Sequence, residues 1–290
     1  MENKKYIFIT GITGNQGSAV AKHLLEQTHS VIGLTRNANS EKANEWKKKG
    51  ITIIEGDITN PDSFQSYLDQ ASTIFLVQAL QKKDKEIQQG KQFIDAIRPE
   101  NGTHLVYSSV LGADLNTAIP HFESKFELEN YIKSKKLNYT VLRPASFYEN
   151  HLFPRVATDI LKGKYVSPLN EMCKQQMIGV EDIGKIAAAV IFKKEKYNHK
   201  TISIATDELQ IGKIPQLFSE AINRQVSYKK LPGFITRLAM GSDLSKMFNY
   251  MNQNNFCVIN NIQEVRDEFN IKGDFRSWIS ENFKPKTIDK

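Results

Sequence analysis

The sequence predicts a doubly wound α/β fold, a parallel sheet covered by helices on both faces, followed by a smaller and more irregular α+β lobe. Three observations carry this. Short β-branched runs alternate with longer amphipathic stretches, the runs are almost continuously apolar, and the first of them passes through a glycine-rich turn into a helical stretch. Continuously apolar strands are those buried on both faces, the condition of a parallel strand flanked by helices.

The elements follow in order. Strands are predicted at 6–10, 30–35, 51–55, 73–77, 104–108 and 139–142, and helices between them at 18–27, 41–49, 62–70, 83–98 and 122–135. This βαβ rhythm is that of a doubly wound sheet. After Pro144 it loosens, with a helix at 150–161, a strand at 176–178, a strong helix at 182–192, a strand at 201–205 and a helix at 211–222. Residues 225–231 read as a further strand and 234–251 and 262–269 as closing helices, with Trp278 and Phe283 packing the tail.

Composition sets the outer limits. The chain has 290 residues, 40% hydrophobic and 24% charged, with 16 Gly and 9 Pro, which excludes collagen, wholesale disorder and a small stapled scaffold. Two cysteines, Cys173 and Cys257, stand far apart with no CxxC pair, so neither a disulfide framework nor a cysteine zinc site is expected, and a reducing cytoplasm fits. The histidines at 23, 29, 104, 121, 151 and 199 show no metal-ligand spacing, and no metal is expected. The early apolar run at 6–9 is too short for an export signal or a membrane span. The net charge of +7 is distributed through lysines mixed with acids on helix-like segments, so direct nucleic-acid binding is not expected.

The chemistry-bearing motif is Gly11-Ile12-Thr13-Gly14-Asn15-Gln16-Gly17, between the first strand and the first helix. Gly11 permits the turn, Gly14 lets backbone N–H groups approach a pyrophosphate, and Gly17 lets the helix pack closely on the strand. The helix N-terminus then offers positive dipole to the anion. The pattern predicts a phosphate cradle for a dinucleotide, the alternative being a tight strand-to-helix turn that holds no ligand.

The second strand ends Leu34-Thr35-Arg36-Asn37. An acid at this point would bind a ribose hydroxyl, whereas the guanidinium of Arg36 suits a 2′-phosphate and can stack on adenine, favouring NADP(H) over NAD(H). At the end of the third strand Asp57 either accepts from the adenine amino group, with Ile58 covering the ring, or caps the turn with Thr59. The fourth strand delivers Val77 and Gln78 to the same edge. Asp182 reads as a helix N-cap acid.

With these residues the chain resembles the NmrA-like family, atypical short-chain dehydrogenase/reductases that include NADPH sensors. The likeness rests on the glycine loop, Leu34 to Asn37, Gly56-Asp57, Val106-Tyr107-Ser108, His121-Phe122-x-x-Lys125 and the run from Leu142-Arg143-Pro144-Ala145 to Asn150, and it covers nearly the whole chain. It implies an NAD(P)-binding Rossmann domain at 1–150. A smaller substrate or partner lobe at 151–290 would return some segments to the first domain.

Short-chain reductases of the usual kind pair a Tyr with a Lys four residues on. Here Lys125 is present and its partner position holds His121, on the same helix face. His121 has three readings: general acid, substrate or cofactor contact, or a helix-start residue without a chemical role. The resemblance implies Lys125 as a nicotinamide-ribose ligand. Ser108 and Ser109 are candidates for the hydroxyl that completes the catalytic set in relatives, although register counting also puts Val110 there. Pro144 to Phe147 resembles the loop that meets the carboxamide, with Phe147 as a wall or a core aromatic.

Two functions are expected to compete, beside a third, a transcriptional co-regulator that contacts a DNA-binding protein without touching DNA itself. One is a redox sensor that binds NADP(H) and is read by a regulatory protein partner. The other is an NADPH-dependent oxidoreductase acting on quinone-like or other conjugated substrates, with Phe122, Phe147, Tyr148 and Phe153 lining an aromatic cleft.

Overall fold

A computed structural model describes residues 6–27 and 30–283; His29 of the histidine set lies outside the described residues. Two compact units are present, one built from the chain up to Pro144 together with Val180–Ser203, the other from Ala145–Gly179 and the chain from Ile204 onward.

The first unit carries the strands β1 (Tyr6–Thr10), β2 (Val31–Thr35), β3 (Thr52–Glu55), β4 (Ala71–Leu76), β5 (His104–Ser108) and β6 (Asn138–Pro144), all paired in parallel. The helices between them are α1 (Asn15–Leu25), α2 (Glu41–Lys48), α3 (Gln65–Gln70), α4 (Lys83–Asp95) and α5 (Pro120–Ser134). With β10 (Lys200–Ile204) beside β6, the seven-stranded sheet runs β10-β6-β5-β4-β1-β2-β3. The expected doubly wound parallel sheet is therefore present. The order reverses between β1 and β4, and ligands of such sheets bind outside the carboxyl ends at that point.

Alternation along each strand divides the core. Phe8, Leu34, Leu76, Leu105, Tyr107 and Val141 pack with Leu68 of α3, Phe93 and Ile94 of α4, and Leu128 and Ile132 of α5. On α4, Gly90 lets α5 approach, since a Cβ there would stand 2.6 Å from Leu128. Helix α1 packs against α7 (Val180–Phe192), where a Cβ on Gly184 would meet the Ala19 backbone at 2.6 Å. Asp182, expected as an N-cap, lies in the first turn of α7 because that helix starts at Val180. An acid there still meets the positive end of the dipole. Trp46 of α2 is buried, with Lys49 Nζ 4.7 Å from its ring centre.

The second unit has a three-stranded sheet, β11 (Asp207–Gln210), β9 (Lys174–Ile178) and β7 (Ser146–Phe147), and a two-stranded one, β12 (Ser227–Lys230) with β8 (Lys164–Ser167). Helices α6 (Pro154–Leu161), α9 (Ile214–Ile222), α10 (Gly233–Asn254), α11 (Ile262–Glu268) and α12 (Phe275–Asn282) complete it, and the short helix α8 (Lys194–Tyr197) belongs to the first unit. The single helix expected at 234–251 is two segments meeting at Gly241, whose φ of +84° and ψ of 172° break the helical path. Strands β7, β8 and β11 were not expected. The aromatic core of this unit gathers His151, Tyr165, Phe218, Phe275 and Trp278, and Phe283 closes on Phe218 at 4.9 Å.

Candidate functional site

The glycine loop sits at the carboxyl end of β1. Gly11 adopts φ +61°, the left-handed region that side chains disfavour, and its carbonyl accepts from Gly14 N at 2.9 Å. A Cβ on Gly17 would lie 2.3 Å from that same carbonyl oxygen, so only glycine lets α1 begin this close to β1. Gly14 precedes α1 without any side-chain cap, leaving the first-turn N–H groups directed outward from the helix start. Ser18 Oγ donates to Ile12 O at 2.8 Å and fixes the loop from beneath.

Neighbouring strand ends are tied to this loop. The Thr13 and Thr35 hydroxyls are 3.3 Å apart, and Ser108 Oγ donates to Gln16 Oε1 at 2.7 Å. Thr10 Oγ1 accepts from Val77 N and donates to Val77 O, both at 2.9 Å, which pins the end of β4 beside β1. Asn15 is exposed at the helix start. The structure thus brings Gly11, Thr13, Gly14, Gln16, Gly17, Val77 and Ser108 together.

Arg36 is exposed just past β2. Asp57 accepts from the Thr59 N–H at 2.9 Å and its hydroxyl at 2.8 Å, and these bonds, with Arg36 and Lys85 nearby, hold its carboxyl below the usual range. One oxygen therefore serves the turn, and both sequence readings of Asp57 are compatible with the geometry. Ile58 packs partly buried against the core. The segment after Arg36 satisfies its own amides: Ala38 N donates to Glu55 Oε2 and Asn39 N to Asn37 Oδ1, each at 2.9 Å. Arg36 is exposed at that turn, and a second exposed cation, Lys47, donates from Nζ to the Ala38 carbonyl at 2.7 Å.

On α5, Lys125 Nζ lies 2.7 Å from Glu86 Oε1 and 5.5 Å from the centre of the Tyr107 ring. Ser124 Oγ donates to Glu86 Oε2 at 2.6 Å, and Gln78 Nε2 donates to the Glu86 carbonyl at 3.0 Å. Glu86 is a residue that sequence reasoning missed. Its signal was visible, since it stands on the inward stripe of α4 with Gly90, Phe93 and Ile94, where an acid needs a buried partner. Burial first, and then Glu86 and Glu129, push the Tyr107 phenol well above its ordinary value. The His121 ring meets Phe122 edge-on at 4.9 Å.

Pro144 ends β6, and its carbonyl accepts from Leu111 N at 2.9 Å. Phe147 belongs to the second unit, where β7 pairs it with Ile178. Tyr148, expected along a cleft, is instead core. It is fully buried, its hydroxyl shares hydrogen bonds with Thr206 and Asp207, and its ring packs on Phe275 and Trp278. Phe122 is likewise buried, whereas Phe153 is exposed. No group of three or more His, Cys, Asp or Glu able to hold a metal occurs among the described residues, and no described helix is long and apolar enough to cross a membrane.

The sequence profile of the NmrA-like family matches residues 3–280. The chain belongs to the NmrA-like family. Within and around that family, an NmrA-like family domain-containing protein of Dictyostelium discoideum is 25% identical over 268 residues, spanning 86% of this chain and 88% of the relative. The nitrogen metabolite repression protein nmrA of Emericella nidulans is 26% identical, over 80% of this chain and 69% of the relative. A solved NADPH-dependent quinone oxidoreductase of Escherichia coli, complexed with NADPH, has a TM-score of 0.82 at 19% identity, covering 96% of this chain and 100% of that one. At that identity the likeness is one of fold.

Proposed function

We propose that this NmrA-like chain binds NADP(H) along the carboxyl edge of its parallel sheet and works as a redox sensor read by a regulatory protein partner. The observation that carries the binding is the uncapped start of α1 above a glycine turn: Gly11 has φ +61°, and a side chain at Gly17 would collide with the Gly11 carbonyl. Such a helix start is a ready anion site, so the residues present fit a dinucleotide diphosphate.

Gly14, Asn15, Gln16 and Gly17 would hold the diphosphate, Arg36 a 2′-phosphate, and Asp57 with Ile58 the adenine. Val77, Gln78, Ser108 and Pro144 would border the nicotinamide half, with Lys125 on the ribose. When bound, NADPH supplies a hydride from its nicotinamide ring. The sensor reading is favoured by position 121, where an imidazole stands four residues before Lys125 in place of the phenol of usual reductases. Lys125 has no phenol four residues before it to activate, the buried Tyr107 phenol beside it is pushed well above its ordinary value, and Lys125 is paired with Glu86 instead. The NADP(H) complex of the fold neighbour and the repressor name of the Emericella relative support this reading without extending it.

A second reading, NADPH-dependent reduction of quinone-like acceptors, draws on Lys125, which would offer a positive charge to the negative charge developing on an acceptor. Hydride transfer to a conjugated acceptor asks the protein mainly for position and a dry pocket.

Titration calorimetry with NADPH, NADP⁺, NADH and NAD⁺, joined to NADPH turnover over a quinone panel and limited proteolysis, tests both. The sensor reading expects binding without turnover and different affinities for the reduced and oxidised forms, since equal affinity shifts no equilibrium. Turnover lost in Lys125→Ala and kept in a surface-lysine control would replace it with the reductase. No heat with any of the four nucleotides would sink both.

A further inference from the structure

Glu86 is the one acid on the inward stripe of α4, and its side chain is 0% exposed. A carboxylate in that place loses several kcal/mol of hydration, and a buried ion pair recovers this only with good geometry and further hydrogen bonds. Apolar residues of similar volume often serve stability as well or better, so packing alone does not account for an acid here.

The surroundings are built around one ammonium. Lys125 Nζ stands 2.7 Å from Oε1 with only 11% of its side chain exposed, and Ser124 Oγ occupies Oε2 at 2.6 Å. Gln78, at the end of β4, donates to the Glu86 carbonyl, and Tyr107, on β5, faces the ammonium with its ring at 5.5 Å. The contact is an ion pair in which Oε1 accepts no conventional hydrogen bond, so the ammonium keeps its three donors. The ring face of Tyr107 attracts the charge without accepting a conventional hydrogen bond. Lys125 is thus held by its charge at the carboxyl edge, with donors to spare.

We infer that Glu86 is the positioning residue for Lys125, fixing the ammonium so that its remaining donors meet the nicotinamide-side ribose of a bound dinucleotide. This rests on the NADP(H) reading above. Glu86 touches no cofactor atom itself; it acts through Lys125. Ser124 locks the second carboxylate oxygen, and Gln78 couples the helix turn that carries Glu86 to the strand end where the dinucleotide would lie. Fixing a flexible four-carbon side chain before binding removes its ordering cost from the binding step.

The test uses the full chain and two ligands: NADPH, and the adenosine bisphosphate fragment that carries the adenine and both phosphates but lacks the nicotinamide ribose. Calorimetry of Glu86→Gln is expected to weaken NADPH by about tenfold, in line with loss of a charge-assisted contact, and to leave the fragment unchanged. Lys125→Met should give the same pattern, and the double variant should be no weaker than Lys125→Met alone. A structural role would move both ligands together. Equal losses for the two ligands, no loss for either, or additive losses in the double variant would overturn the inference while leaving NADP(H) binding intact. Failure of the unaltered chain to bind either ligand overturns the reading beneath it. Should Glu86→Gln unfold, Glu86→Asp keeps the charge with a shorter reach, and an NADPH affinity between those of the unaltered chain and Lys125→Met is expected. An unchanged NADPH affinity in that variant overturns the inference.

Discussion

Arg143 grips Glu129 through two parallel hydrogen bonds, Nε to Oε1 at 2.9 Å and Nη2 to Oε2 at 2.6 Å, with both residues buried. The same guanidinium reaches Asp114 Oδ2 at 2.5 Å, and Ser109 Oγ donates to Glu129 Oε1 at 2.6 Å. One planar fork therefore joins the end of β6, helix α5 and the loop that leads from β5 to His121. Lysine offers no such fork.

Breaking this pair from one side strands a charge. Arg143→Met is expected to cost about 3–5 kcal/mol of unfolding free energy, and Arg143→Met with Glu129→Leu should recover much of it. Urea unfolding of the two variants checks this. A single variant within about 1 kcal/mol of the unaltered chain would contradict the burial argument.

Gly17→Ala puts a methyl 2.3 Å from the Gly11 carbonyl, and backbone on both sides has nowhere to yield. The expected cost is about 1–3 kcal/mol of stability, with a larger fractional loss in NADPH affinity because the displaced helix start is the proposed anion site. Thermal unfolding and calorimetry on one sample separate the two effects. Unchanged binding would remove the glycine loop from the site.

Arg36→Asp should move preference from NADP(H) toward NAD(H). The ratio of the two affinities is expected to change by about tenfold to a hundredfold, the range of one charged hydrogen bond. Asn37 and Glu55 already engage the neighbouring amides, and Arg36 is expected to supply most of the discrimination. An unchanged ratio would refute its assignment.

Two buried histidines set an acid limit. Burial, aided by Lys194, lowers His104 to about 4, and burial lowers His151 to about 4 against the opposing bond to the Tyr148 carbonyl. Between the ordinary 6.5 and about 4 the unfolded chain binds protons that the folded chain refuses. Stability is therefore full above that window and falls as pH drops through it, by up to about 3 kcal/mol for each histidine. Imidazole resonances followed by NMR should show both rings neutral at mildly acidic pH. An ordinary midpoint for either would contradict its burial.

The parallel sheet was legible because β1, β2, β4, β5 and β6 are runs of Ile, Val, Leu, Phe and Tyr, and because the glycine turn falls between β1 and α1. The second unit was harder to read. Its strands are two to five residues long, and β11 is Asp-Glu-Leu-Gln, a composition that pairs only because β9 lies alongside. Gly241 was hidden inside an otherwise helical pattern. At the site, single residues were legible and their partners were not. Arg36, Asp57 and Lys125 could be picked by type and position, whereas Glu86 meets Lys125, and Glu129 meets Arg143, only after helices and strands are folded together. Tyr148 was misassigned because a motif places a residue along the chain and says nothing of the side-chain partners that bury it.

The chain has two tryptophans, and each unit holds one: Trp46 on α2 beside β3 in the first, Trp278 within the aromatic cluster of α12 in the second. Each indole is an intrinsic fluorophore in a different surrounding, one beneath a lysine ammonium and the other against Phe275 and His151. Replacing either with phenylalanine leaves emission from the other alone, so the melting of each half can be recorded separately in the intact chain, without labels.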